Sequence, residues 1–103
     1  MFRKIHSIIR KIPYGKVSSY GAVARAAGFP GAARQVVWAL HTANDLPWHR
    51  VVGAKGVVKC VGEAAMEQRF RLEAEGVVFL GTRVDMKRYE HKFGRAKKKS
   101  RSG

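Results

Sequence analysis

The sequence predicts a mainly helical α+β domain built around a helix-turn-helix with a small β-hairpin, and three observations carry that expectation. Helical signals recur in separate stretches, Gly- and Pro-containing breaks punctuate them, and two valine pairs, Val51-Val52 and Val57-Val58, flank a Gly/Lys turn. A chain of 103 residues accommodates one such domain with a modest core.

Each element follows in order. Phe2, Ile5, Ile8, Ile9 and Ile12 repeat at helical spacing, which predicts an amphipathic helix over 2–11 closed by Pro13, with Pro13-Tyr14-Gly15 as a turn. Ser18 or Ser19 can cap a second helix over 20–27, with Gly28 just past its end. After Phe29-Pro30-Gly31, the positions Ala33, Val36, Val37 and Leu40 predict a third helix from Ala32 to about Ala43. Two short helices across a tight Gly/Pro turn have the form of a helix-turn-helix, a moderate signal for DNA because many helical hairpins bind nothing. A loop at 44–49 leads to the valine hairpin. The stretch EAAMEQRFRLEAE predicts a strong helix over 63–75 with Met66, Phe70 and Leu72 as its apolar positions and Gly76 beyond, and 77–79 add a short strand.

Charge is the loudest compositional signal. Twenty-one Lys and Arg against seven Asp and Glu give +14. Residues 87–103 hold eight basic and one acidic residue, and residues 1–86 hold thirteen and six, so each part carries +7. The body is basic without its tail, which favours a polyanion partner such as nucleic acid. The expected organisation is a domain over 1–86 followed by a basic, disordered tail over 87–103.

The apolar runs are far shorter than the ~20 residues of a membrane span. The start MFRKIHSIIRKI mixes basic with apolar residues, unlike a secretory leader. A cytoplasmic, membrane-free location follows, nucleoid-associated in a bacterium, with the chain expected to be a monomer. One cysteine, Cys60, excludes an internal disulfide. Four scattered histidines with that cysteine make no zinc-ligand spacing, so neither metal nor cofactor is implied.

Three ordered blocks are more specific than composition. IPYGKVSSYGAVARAAGFPGAARQV, then PWHRVV, then RLEAEG, strongly resemble the DNA-binding domain of O6-alkylguanine-DNA alkyltransferases over about residues 5–78. The resemblance implies the winged helix-turn-helix-like C-terminal fold of those enzymes. In them the loop reads Pro-Cys-His-Arg-Val, and its cysteine accepts the alkyl group. Here Trp48 stands at that position, the mark of the alkyltransferase-like proteins. An indole offers no nucleophile comparable to a thiolate, so alkyl transfer at residue 48 is excluded and no catalytic residue is expected.

What the resemblance implies is a non-enzymatic sensor that binds duplex DNA containing O6-alkylguanine, flips the nucleotide and hands the lesion to nucleotide excision repair proteins. Tyr20 would push on the target's 3′ phosphate and Arg34 would enter the base stack, a role suited to a guanidinium plane. Ala32 and Ala33 would let the third helix approach the minor groove beside Gln35, while Lys16, Ser18 and Ser19 would contact phosphates. The lesion pocket would gather Tyr20, Trp48, His49, Arg50, Val51 and Glu75. His49 and Glu75 match residues that serve the enzyme's cysteine; without a thiol they read as a loop-to-helix hydrogen bond braced by Arg50.

The chain also departs from the enzymes. The segment before Trp48 is shorter, so Asn44 has no firm counterpart. Val61 stands where some alkyltransferase-like proteins place a basic residue. Two rival readings remain: a helix-turn-helix transcription factor or architectural protein without lesion preference, and an alkyltransferase running through Cys60, which lies twelve residues beyond Trp48 with no histidine beside it.

Overall fold

The computed structural model describes residues 1–93. Helix α1 (Phe2–Arg10), strand β1 (Ser18–Ser19), α2 (Tyr20–Ala26) and α3 (Ala33–Ala39) come first. Strand β2 (Val51–Val52), α4 (Gly62–Ala74), the hairpin β3 (Phe79–Leu80) and β4 (Arg83–Val84), and a single-turn α5 (Met86–Tyr89) follow. Mainly helical architecture with a small sheet component is thus what the chain adopts.

Ile5 and Ile9 are the fully buried positions of α1, and they pack with Ile12, Val23, Ala24, Val36, Ala39 and Leu46 into one apolar cluster. A second cluster joins Val17, Val52, Leu72, Val77 and Val84. The parallel pair β1–β2, Ser18 beside Val51 and Ser19 beside Val52, runs between the two clusters.

The local signals of α2 act as read. Ser19 Oγ accepts the Ala22 N–H at 3.1 Å, capping the helix. Gly28 takes φ +92° and donates to the Arg25 carbonyl, while Phe29 donates to that of Ala24, the paired bonds of a Schellman motif. That turn directs the chain into α3, completing the helix-turn-helix.

Four expectations are corrected. Helix α3 ends at Ala39 rather than near Ala43, because His41 and Thr42 turn back and the Thr42 hydroxyl donates to the Ala39 carbonyl at 2.7 Å. The two valine pairs make no hairpin. A tight turn does link Gly53 N–H to the Val57 carbonyl at 2.7 Å, but Val51 and Val52 are both buried and pair with β1, whereas Val57 bridges to Arg83. Burial of adjacent residues is the habit of a strand covered on both faces. Gly56 is required in that turn: its φ is +86°, and a Cβ would collide with the Val84 backbone.

Third, Met66 and Phe70 are 73% and 69% exposed. The buried stripe of α4 is instead Gln68 and Leu72, and Phe70, two residues from each, points roughly 200° away. Fourth, packing continues past residue 86. The Val17 N–H donates to the Tyr89 carbonyl at 2.9 Å and the His91 N–H to that of Val17 at 2.7 Å, while Tyr89 and Phe93 pack on the two clusters. The remainder of the basic tail, 94–103, lies outside the described residues.

Candidate nucleic-acid interface

The loop holding Trp48 is fixed from beneath. Trp48–Arg50 form one 3-10 turn, in which the Arg50 N–H donates to the Pro47 carbonyl at 3.0 Å. The next link is the end of α4. Gly76, at φ +91°, donates to the Glu73 carbonyl and Val77 to that of Leu72, a second Schellman closure that leaves Glu75 as the C-cap. Its side chain is 8% exposed and turns under the loop.

Glu75 then gathers three segments. The Arg50 guanidinium donates to it through Nε and Nη2, His49 Nε2 donates at 2.7 Å, and the Gly15 N–H donates to Oε1 at 2.8 Å. Burial by itself raises the Glu75 carboxyl, but the donors Arg50, Gly15 and His49 together outweigh it and hold the group at about 2. Arg50 Nη1 also donates to the Ile12 carbonyl at 3.0 Å, and the guanidinium lies 5.7 Å from the Tyr14 ring centre. From α4, buried Gln68 donates its amide to the carbonyls of His49 at 3.1 Å and Val51 at 2.9 Å.

With its neighbours tied down, Trp48 stands on the wall of an open cavity of about 640 Å³. Tyr20 at the start of α2, Arg34 and Ala33 on α3, and Val51 line the same cavity. Three segments far apart in sequence thus meet at one place. Arg34 is exposed, whereas Tyr20 is partly buried and its hydroxyl is pushed up by desolvation and the nearby Cys60.

Other expected residues lie elsewhere. His49, Arg50 and Glu75 do not line the cavity; they form the brace under the loop. Ser18 is fully buried in β1, where its hydroxyl donates to the Ser19 carbonyl at 3.4 Å. Lys16 is tied to the C-terminal segment through a 3.3 Å bond from Nζ to the Arg88 carbonyl. Ala32 is buried, and Gln35 is half-buried on α3.

Sequence reasoning missed Gln68 and Lys59, and it set Cys60 apart from the site although both Cys60 and Lys59 line the cavity. The spacing of Gln68 and Leu72, four apart on a helix, was the available signal. Lys59 and Cys60 had none, because their position depends on the non-local strand pairing. Among the described residues, no helix is long and apolar enough to cross a membrane.

Residues 1–77 match the family described as 6-O-methylguanine DNA methyltransferase, DNA binding domain. The chain is 46% identical over 81 residues to alkyltransferase-like protein 1 of Schizosaccharomyces pombe, covering 74% of this chain and 75% of that one. This chain belongs to the alkyltransferase-like family. The alkyltransferase-like chain is also 42% identical over 91 residues to a DNA base-flipping protein of Escherichia coli, covering 84% of this chain and 70% of that protein. Its structure is similar to that of S. pombe Atl1 in complex with damaged DNA containing O6-carboxymethylguanine, with a TM-score of 0.76, 34% identity, and coverage of 88% of this chain and 94% of that one.

Proposed function

We propose that this protein is a non-enzymatic DNA damage sensor that binds O6-alkylguanine in duplex DNA, rotates the nucleotide into the Trp48 cavity and flags the site for nucleotide excision repair. The observation that carries the reading is the convergence of Trp48, Tyr20 and Arg34 on one cavity. The resemblance to a relative solved on DNA containing O6-carboxymethylguanine supports it.

Binding begins with charge. A +14 chain is drawn to duplex DNA whatever its sequence, and the α2–α3 unit then enters the minor groove, where readout of sequence is weak. Tyr20 presses on the phosphate beside the target, and Arg34 fills the vacated stack, where its planar guanidinium can lie on bases and donate to the orphaned partner. Extrusion costs a few kcal/mol, less where O6 alkylation has already weakened pairing. The indole of Trp48 supplies an aromatic wall for the extruded base. Without a nucleophile at residue 48 the lesion is held and the duplex stays bent around a bound monomer, a distortion that excision repair proteins can meet. The reading requires no metal or cofactor, and it places the protein with DNA in the cytoplasm or nucleoid.

A second reading has one observation in its favour, the placement of Cys60 on the cavity wall. An alkyltransferase acting through Cys60 would gain one methyl group in mass and remove it from DNA, and Cys60→Ala would abolish both. The sensor reading expects unchanged protein mass and intact lesion after prolonged incubation.

The deciding experiment is an equilibrium titration with two short duplexes that differ by a single O6-methylguanine, at physiological salt. Clearly tighter binding to the modified duplex is the expected result. Equal binding sinks lesion sensing and favours a general helix-turn-helix or architectural protein.

A further inference from the structure

Met66 and Phe70 lie one helical turn apart on α4 and are 73% and 69% exposed. Single exposed apolar residues are ordinary on protein surfaces, but two large ones side by side on a helix call for a partner. They border a shallow cleft of about 540 Å³, completed by Glu63, Ala64 and Glu67.

Charge narrows the occupant. The chain has only seven acidic residues against twenty-one basic ones, yet α4 holds three of them, Glu63, Glu67 and Glu73, all exposed and all on the outward side with Met66 and Phe70. Glu67 pairs with Arg71 and Glu73 with Arg69 at the edges of this face, while Glu63 has no ion pair among the described residues. With Glu67 and Glu73 each paired to an arginine, the uncompensated charge on this face is the Glu63 carboxylate, which disfavours a phosphate backbone here. A second copy meeting this face with its own would set the two unpaired Glu63 carboxylates on one shared patch with no cation added to meet them, since a two-fold contact sets the same patch against itself.

We propose that the outward face of α4 docks a protein of the excision-repair machinery, through an apolar groove on that protein rimmed by lysine or arginine. This rests on the sensor reading above. An aromatic and a methionine at the centre, with charges at the rim, match the anatomy of protein interfaces. The face also borders the lesion cavity. Ala64 lines both hollows, and the Arg71 guanidinium pairs with Glu67 while lying 5.9 Å from the Trp48 ring centre. A partner seated on α4 therefore sits one side chain away from the wall that meets the base.

The test uses a plasmid with a single O6-methylguanine in a cell extract competent for excision repair, with incision near the lesion measured as the protein is added. The full chain is compared with Met66→Ser/Phe70→Ser and, separately, Glu63→Lys; lesion-duplex affinity and melting temperature are measured on the same preparations. The expected result is affinity within about twofold of the parent but stimulation of incision lowered about tenfold in the double variant. Glu63→Lys lowers stimulation in the same direction without removing an apolar contact.

Equal stimulation by parent, double variant and Glu63→Lys overturns the docking surface and leaves the sensor reading standing. A parent that binds the lesion without stimulating incision overturns the flagging role and the docking surface with it. Sedimentation showing a dimeric parent and a monomeric double variant assigns the face to a second copy and overturns the proposed partner.

Discussion

The Arg50 guanidinium grips the Glu75 carboxylate through two nitrogens, with Nε at 3.1 and 3.2 Å from the two oxygens and Nη2 at 2.9 Å from Oε2. Both side chains are largely buried, at 17% and 8% exposure. Such a pair contributes position more than net stability, because desolvation offsets much of its attraction, but removing one partner strands the other. In this chain the pair and His49 hold the turn that carries Trp48, so the position of the indole on the cavity wall depends on a carboxylate that does not line the cavity.

Acid should loosen this brace in a defined window. The folded Glu75 value of about 2 lies below its usual 4.5, so the unfolded state takes up the proton first as pH falls. Its stabilising contribution is complete above about 4.5 and is lost as pH falls through about 2. Glu75→Gln should cost on the order of 3 kcal/mol at neutral pH by stranding Arg50, a drop of roughly 10–20 °C in melting temperature. Thermal melts of parent and variant between pH 2 and 7 should converge toward acid. Asp45, held below the usual carboxylate range by the Arg10 guanidinium bonded to it, is common to both proteins and cancels. Curves that stay parallel across that range would show that Glu75 is not the group responsible.

Gln68 tests the other half of the brace. Its amide donates to the carbonyls of His49 and Val51, but its own Oε1 is buried without a partner among the described residues. Gln68→Leu loses the donors and also removes that orphaned acceptor, so a net loss of only about 1 kcal/mol is expected. Gln68→Glu sets a carboxylate against the carbonyls of His49 and Val51 and should cost about 3 kcal/mol or more at neutral pH. Urea unfolding should rank parent, Leu and Glu in that order. Equal stability of the Leu and Glu variants would mean that the amide is not what secures the loop.

The helix-turn-helix was legible because its signals are local: the Ser19 cap, the Gly28 turn and the apolar spacing of α3 each act within a few residues. Trp48 and Glu75 were legible for a different reason, through the resemblance of the PWHRVV and RLEAEG blocks to those of the alkyltransferases. What escaped was non-local. Val51 and Val52 read as half a hairpin because nothing in their neighbourhood reveals that Ser18 and Ser19 will pair with them. That pairing, with the turn behind Gly53, is what carries Lys59 and Cys60 to the cavity. Phe70 misled because a large apolar side chain was allowed to set the helix phase, when Leu72 and a buried glutamine set it.

Replacing Trp48 should separate recognition of the lesion from general affinity. Base–aromatic stacking is worth about 1–3 kcal/mol, so Trp48→Ala should weaken binding to an O6-methylguanine duplex by about tenfold or more. The same change should alter affinity for the unmodified duplex by less than about twofold, since phosphate contacts dominate there. Arg34→Ala should weaken the lesion complex as well, and Arg34→Lys should not restore it, because an ammonium cannot stack as a guanidinium does. Paired titrations of both duplexes check this. A loss of equal size on both duplexes would place Trp48 outside the pocket's discrimination.

The basic C-terminal run offers a last test, and the fold dictates where to cut. Ending the chain at residue 86 would remove Tyr89 and Phe93 from the two apolar clusters and the backbone bonds at Val17, confounding DNA affinity with lost packing. Ending it after Phe93 removes only 94–103, with Arg95, Lys97, Lys98, Lys99 and Arg101. Each phosphate contact contributes about 0.9 to the log–log salt slope on duplex DNA, so full engagement of these five cations would flatten the slope by about 4.5 on truncation. Discrimination between modified and unmodified duplex should be unchanged, because the cavity residues all precede the cut. An unaltered slope would assign the binding charge to the body alone, while loss of discrimination would tie the tail to the lesion pocket.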